Sequence, residues 1–283
     1  MSGVVMRCLD ALAFSSILVA SIAAALTLAA ALSLVTNPSA AQLAAALAFA
    51  GTLVVYNVDR LRDLERDRRS WPRRSAFVSR HRRPLSGLII LAAGAAAVLG
   101  WHAGPAAVGL CGAVLVPALF HRRLKQHSVI KAGYVTAAWV TVLVGLPVLS
   151  MGSSFPPLPI LLAPLATLPL PTRMGSLDIP HAGRLALIAC VYGAAIGANL
   201  IASNARAGGR PSMRALWGAR GLAAVGVLTA LAAPSPLRAL ACVPLAQLAS
   251  LIGFRGGERA RLLLVDGALL LGALGVLALR TLG

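Results

Sequence analysis

Nine times along its length this chain runs apolar for close to the ~20 residues that an α-helix needs to cross ~30 Å of hydrocarbon. The runs lie at 11–35, 39–57, 85–101, 104–120, 132–150, 185–203, 215–233, 236–254 and 262–281. Such runs exclude a soluble core, because no 283-residue globule could bury them all. Charged residues make up 12 % of the chain, about half the share usual in a soluble protein. The fold class expected is therefore all-α: one polytopic membrane helix bundle of about nine transmembrane helices, filling residues 1–283 as a single domain.

A tenth apolar segment, 155–171, carries prolines at 156, 157, 159, 164, 169 and 171. Each removes a backbone donor, and unsatisfied backbone is not tolerated against lipid. Loop charge arbitrates. With the N-terminus inside, inner loops 58–84, 121–131, 204–214 and 255–261 hold ten, four, three and three basic residues, and the outer connections 36–38, 102–103 and 234–235 hold none. Counting 155–171 as a crossing would turn the later arginines outward. The positive-inside rule thus favours nine crossings of a cell (inner) membrane, with a cytoplasmic N-terminus, an outer C-terminus and 155–184 as an outer excursion. The first run exceeds the core of a signal peptide and reads as an uncleaved span.

The net charge of +18 does not point to nucleic acid, because the basic residues cluster in loops rather than over a soluble face. Their simplest partner is anionic membrane lipid. Cys8, Cys111, Cys190 and Cys242 are widely spaced with no CxxC, and read as small buried hydrophobes. The histidines form no zinc pattern. Tyr56, Trp71, Trp139 and Trp217 fall near span ends and read as interfacial aromatics. Asp178 reads as a turn or cap residue. Asp266, just inside the last span, is a carboxylate that needs an arginine or a helix-mouth donor.

Half of the eight acidic residues lie in one stretch, Asp59, Asp63, Glu65 and Asp67. On a helix continuing past Asn57, Asp59, Asp63 and Asp67 would form one column, with Glu65 off it. Like charges four apart oppose a helix unless a cation joins them. Mg²⁺ usually takes one or two carboxylates plus phosphate oxygens. The competing reading is a salt-bridged loop, since Arg60, Arg62, Arg66, Arg68 and Arg69 are interleaved with the acids.

The stretch "NVDRLRDLERD" with "RRSWPRR" resembles the first aspartate-rich motif of the UbiA superfamily of intramembrane prenyltransferases. Asp63 and Asp67 align on the last two aspartates, and Asp59 stands where the family usually has Asn. "FHRRLKQHSVIKAGYVTAAWV" is similar to the family's lysine-bearing segment leading into a Trp-containing helix. The second aspartate-rich motif is degenerate: "GANLIASNARAGGRPSMRALWG" offers Asn199, Ser203 and Asn204 but no acid. The resemblance implies Mg²⁺-dependent transfer of a prenyl group from a prenyl diphosphate to a lipophilic or aromatic acceptor. It implies Asp59, Asp63 and Asp67 as metal ligands, with Asp63, Asp67 and Lys131 catalytic. It implies Arg122, Arg123, Lys125, Lys131, Arg206 and Arg210 around the diphosphate. The alternative is a catalytically degenerate relative that binds isoprenoid or lipid, or serves as an assembly partner.

Overall fold

A computed structural model describes residues 3–34, 37–124, 128–150, 181–204, 206–207, 210–254 and 257–282. The expected excursion at 155–184, with Asp178, falls almost entirely outside these, as does Lys125. The described chain is helical apart from one antiparallel pair, β1 (Arg206–Ala207) and β2 (Arg210–Pro211). The helices are α1 (Gly3–Phe14), α2 (Ile17–Ser33), α3 (Pro38–Arg62), α4 (Leu64–Ser70), α5 (Pro72–Arg80), α6 (Arg82–Ala103), α7 (Pro105–Leu124), α8 (Ser128–Leu149), α9 (His181–Asn204), α10 (Met213–Leu231), α11 (Cys242–Gly253) and α12 (Gly267–Leu282). A 3₁₀ turn, Ser235–Ala241, leads into α11, and a π-helical turn, Arg261–Asp266, leads into α12.

Each of the nine candidate spans is largely helical over its described residues. Among the described residues, six helical segments are long and apolar enough to cross a membrane, or seven if the bent pair Cys8–Phe14 and Ile17–Ser33 is one span. The other two runs fall short of that test. The apolar part of α7, Pro105–Leu115, is shorter, and α10 carries Arg214 and Arg220.

The packing fits a bilayer solvent. Large apolar side chains such as Ile90, Leu91 and Leu271 face outward, at 72, 73 and 68 % exposure. The buried faces of α2 and α3 are rich in alanine, including Ala29, Ala30, Ala31, Ala41 and Ala44. Lipid tails are as apolar as leucine, so helices in a membrane associate by close packing, and small residues permit it. Helix α2 packs on α3, α8 and α12, and α9 packs on α8, α10 and α11. Contacts of α3 with α6, α6 with α7 and α7 with α8 complete the bundle.

Local signals set the helix ends. Asn37 Oδ1 accepts from the Ser39 N–H at 3.1 Å, with Pro38 at the first helical position of α3. Gly104, at φ +90°, closes α6 and hands over directly to Pro105 of α7.

The first run differs from expectation. It bends by 66° at Ser15–Ser16, where Ser16 holds φ +66° although it is not glycine. The break is buried and its groups are satisfied from α3. Ser16 Oγ donates to Asn57 Oδ1 at 3.1 Å, and Asn57 Nδ2 donates to the carbonyl of Ser15 at 3.0 Å. Arg60 donates to the carbonyl of Ala13 at 3.2 Å and also to that of Phe14. Broken helices at membrane depth persist only when neighbouring groups re-satisfy the backbone in this way.

Candidate functional site at one end of the bundle

A group of ionisable and polar residues gathers at one end. The C-terminal ends of α3 and α9 and the N-terminal ends of α8 and of the π turn meet there. Lys131 Nζ of α8 donates to Asn204 Oδ1 of α9 at 3.2 Å. Asn199 Nδ2 of α9 donates to the Val265 carbonyl at 3.0 Å and to Asp266 Oδ1 at 3.1 Å. Ser203 Oγ donates in turn to Asn199 Oδ1 at 3.4 Å. Trp139 Nε1 of α8 donates to the Tyr56 hydroxyl of α3 at 3.1 Å, with the rings edge to face.

The acidic stretch keeps its backbone register. The N–H of Asp63 donates to the Asp59 carbonyl, that of Asp67 to Asp63, and that of Trp71 to Asp67. Helix geometry breaks at Asp63 and again at Trp71, so α3, α4 and α5 follow as three pieces. The three carboxylates meet different surroundings: Asp59 is exposed, Asp63 is 8 % exposed, and Asp67 is ion-paired with Arg74. Among the described residues, no three His, Cys, Asp or Glu side chains come together as a metal site. The expected column therefore survives as a backbone register and is not a three-carboxylate cluster. Glu65 lies off it as expected, in an exposed pair with Arg68 at 3.1 Å, the kind of contact that contributes little.

The segment after the acids folds back as a cap on this end. Trp71 lies between two guanidinium groups, Arg74 at 4.9 Å and Arg261 at 4.4 Å from its ring centroid. Phe77 of α5 packs on Phe14 and stacks on His81 at 4.3 Å. Glu258 accepts from the backbone N–H groups of Arg73 at 3.3 Å and Arg74 at 2.9 Å. It thereby caps the N-terminus of α5, a role worth ~0.5–2 kcal/mol. Arg60, Arg74 and Arg261, from three different elements, lie close enough to act electrostatically on one another and on Asp266.

Several sequence readings change. Arg60 is not interleaved surface charge: it is 6 % exposed and serves the break between α1 and α2. Tyr56 and Trp139 face each other rather than a lipid interface, whereas Trp217 is 64 % exposed and fits the interfacial reading. Trp71 is half-buried among arginines. Cys8 and Cys190 are exposed, while Cys111 and Cys242 are half-buried. Asp266 finds its donor in Asn199, a partner no local spacing announces. Of the basic residues expected around a diphosphate, Lys131 is placed by its bond to Asn204. Arg122 and Arg123 lie in the last turn of α7, and Arg206 and Arg210 lie in the two short strands that follow α9. The side chains of these four fall outside the described residues.

Comparison of the chain with family models, with curated proteins and with solved structures finds no match.

Proposed function

We propose that this chain is an intramembrane prenyltransferase of the UbiA type. On this reading it takes a prenyl diphosphate at the ionisable end of its bundle and passes the prenyl group to a lipophilic acceptor. The observation that carries the reading is the Lys131–Asn204 contact. It joins the lysine-bearing segment to the C-terminal end of α9, in the stretch standing where the family has its second motif, at the same end of the bundle as the acidic stretch.

Asp59 on α3 and Asp63 at its C-terminal boundary, one turn apart, fit the one or two carboxylates that Mg²⁺ usually takes alongside phosphate oxygens. Asp67 joins them only by exchanging Arg74. Mg²⁺ held there would offset charge on the diphosphate. Lys131, Lys125, Arg122, Arg123, Arg206 and Arg210 stabilise negative charge on the departing pyrophosphate, and the apolar spans hold the isoprenoid tail away from water.

The binding test uses the full chain in detergent with geranylgeranyl diphosphate. Mg²⁺-dependent binding is expected in the wild type and its loss in Asp63→Asn. Unchanged binding in Asp63→Asn would leave the acidic stretch a salt-bridged segment and end the enzyme reading. A second reading, isoprenoid or lipid binding without transfer, is favoured by the absence of any acid on α9 and by the Asp67–Arg74 pair. Pyrophosphate release in the presence of Mg²⁺ and acceptor separates the two.

The crossings number nine on this proposal, with α10 and α7 included, in the cell (inner) membrane and with the ionisable end cytoplasmic. Cysteines introduced at Ser79 and Met213 are both expected to react with a membrane-impermeant thiol reagent from the cytoplasmic side only. Labelling from opposite sides would refute this orientation.

A further inference from the structure

Arg280 lies in the last turn of α12, at the end of the bundle opposite the ionisable one. A basic side chain at such a position ordinarily reaches outward to the headgroup level. Arg280 does the reverse. The buried stripe of the last span runs through Val265, Leu269, Ala273 and Val276, and Arg280 continues it at 9 % exposure. Helical side chains lean toward the N-terminus of their own helix, which turns the guanidinium back into the bundle.

Its hydrogen bonding is incomplete there. Nη2 donates to Ser33 Oγ of α2 at 3.4 Å, beyond the usual range of a hydrogen bond. The Ser33 proton goes to the Ala29 carbonyl at 2.8 Å, so the Ser33 oxygen is fixed as a neutral acceptor. Nε is buried and, among the described residues, donates to no group. No described carboxylate pairs with Arg280 within 4.0 Å. Asp266, the carboxylate of the same span, lies about 21 Å away along the axis at ~1.5 Å per residue.

A buried charge is kept where it is paired and hydrogen-bonded. Nε and a neighbouring Nη present two parallel N–H groups in one plane, which a carboxylate matches with both oxygens. One carboxylate also balances one guanidinium charge. A phosphate dianion would leave an excess negative charge on a buried apolar stripe, and a halide offers one acceptor to two donors.

We propose that Arg280, steadied by Ser33, binds the carboxylate of a monocarboxylic acid inside the bundle. Nε and a neighbouring Nη donate to its two oxygens. This site does not rest on the prenyl-transfer reading. Two sources supply the same chemistry, a small carboxylate from the aqueous side and the head of a fatty acid from the bilayer.

The test is equilibrium dialysis of radiolabelled decanoate with the full chain in detergent micelles at about pH 8, where the probe is ionised. Protein-free micelles are the partition reference and decanol is the neutral control. The wild type is expected to bind about one decanoate per chain above the reference, and no decanol. Arg280→Gln is expected to weaken decanoate about tenfold or more. Arg280→Lys keeps the charge without the planar fork and is expected to weaken it several-fold. Arg238→Gln removes an exposed arginine and is expected to leave binding within about twofold. Competition by acetate as strong as by unlabelled decanoate marks the small carboxylate, and competition by decanoate alone marks the fatty acid; both uphold the site. No binding by the wild type, equal binding of decanol, equal competition by chloride, or an equal loss in Arg238→Gln overturns it. Displacement by Mg²⁺-geranylgeranyl diphosphate puts decanoate at the ionisable end and also overturns it. If Arg280→Gln does not fold, wild-type binding by Arg280→Lys is the overturning result. Asp178 lies outside the described residues. Markedly tighter decanoate binding in Asp178→Asn would mean that the chain fills the fork with its own carboxylate, and would overturn an external ligand.

Discussion

Arg60→Ala is expected to destabilise the protein by ~2–4 kcal/mol, although the change lies in a stretch that reads as interleaved surface charge. Arg60 is 6 % exposed and donates to the carbonyls of Ala13 and Phe14 at the end of α1. Truncation leaves those two acceptors without a donor in an apolar setting, where each unmade backbone bond costs several kcal/mol at the limit. Relief of the like charges of Arg74 and Arg261 offsets part of the loss. Arg62→Ala, two residues on and exposed, is expected within about 0.5 kcal/mol of wild type. Arg60→Lys keeps the charge but cannot reach two carbonyls with a planar fork, so an intermediate loss is expected. The measurement is the unfolding midpoint at fixed detergent, with hydrogen exchange at residues 13–16 as the local readout. If Arg60→Ala weakens diphosphate binding and leaves the midpoint unchanged, Arg60 is a ligand-binding residue and its structural role is wrong.

Most of the apolar helices were legible because they follow from run length, a local quantity. What escaped depends on partners distant in sequence. The run "LAFSSILVA" gives no reason to break at Ser16. The reason lies in Asn57 and Arg60, more than forty residues on. Spacing rules for helical neighbours offer Asp67 a partner three or four residues away. The Trp71–Pro72 turn delivers Arg74 instead. Asp266 was legible as a charge needing a partner, but nothing local selects Asn199. Glu258, in a loop that reads only as basic, caps α5 across 184 and 185 residues of chain. The acidic stretch and the lysine of α8 were thus readable as candidates. The aromatic and carboxamide groups that orient the interior were not, because their signal lies in helix packing.

Gly272→Ala is expected to lose 3 kcal/mol or more, the largest effect of any one-carbon change in the described bundle. A Cβ built there would lie 2.5 Å from Val243 Cα, 2.8 Å from the Cys242 carbonyl oxygen and 3.1 Å from Val243 N. These are backbone atoms, so no rotamer change relieves the contact. The helices must part, and in a membrane their attraction is close packing itself. The same stretch is wedged from the other side. A Cβ on Gly226 of α10 would lie 2.9 Å from Ala194 Cβ and 3.1 Å from Pro244 Cβ, so α11 cannot simply retreat. Gly275→Ala meets only the Cys242 side chain, at 3.2 Å and beyond, and is expected to lose about 1 kcal/mol. Gly94→Ala in α6 meets nothing within 4 Å and is expected to be neutral or stabilising by up to about 1 kcal/mol. The consequence reaches the site, because α12 follows directly from the π turn that carries Asp266. A shift of α12 away from α11 displaces the Val265 carbonyl and Asp266 from Asn199. Gly272→Ala is therefore expected to loosen the Asn199 contacts, read as faster hydrogen exchange at residues 265–268 even in the fraction that remains folded, whereas Gly275→Ala spares them. Unfolding midpoints for the three variants, with hydrogen exchange on the folded fraction, decide the matter. A Gly272→Ala midpoint equal to that of Gly94→Ala would mean that α11 and α12 do not approach at backbone contact.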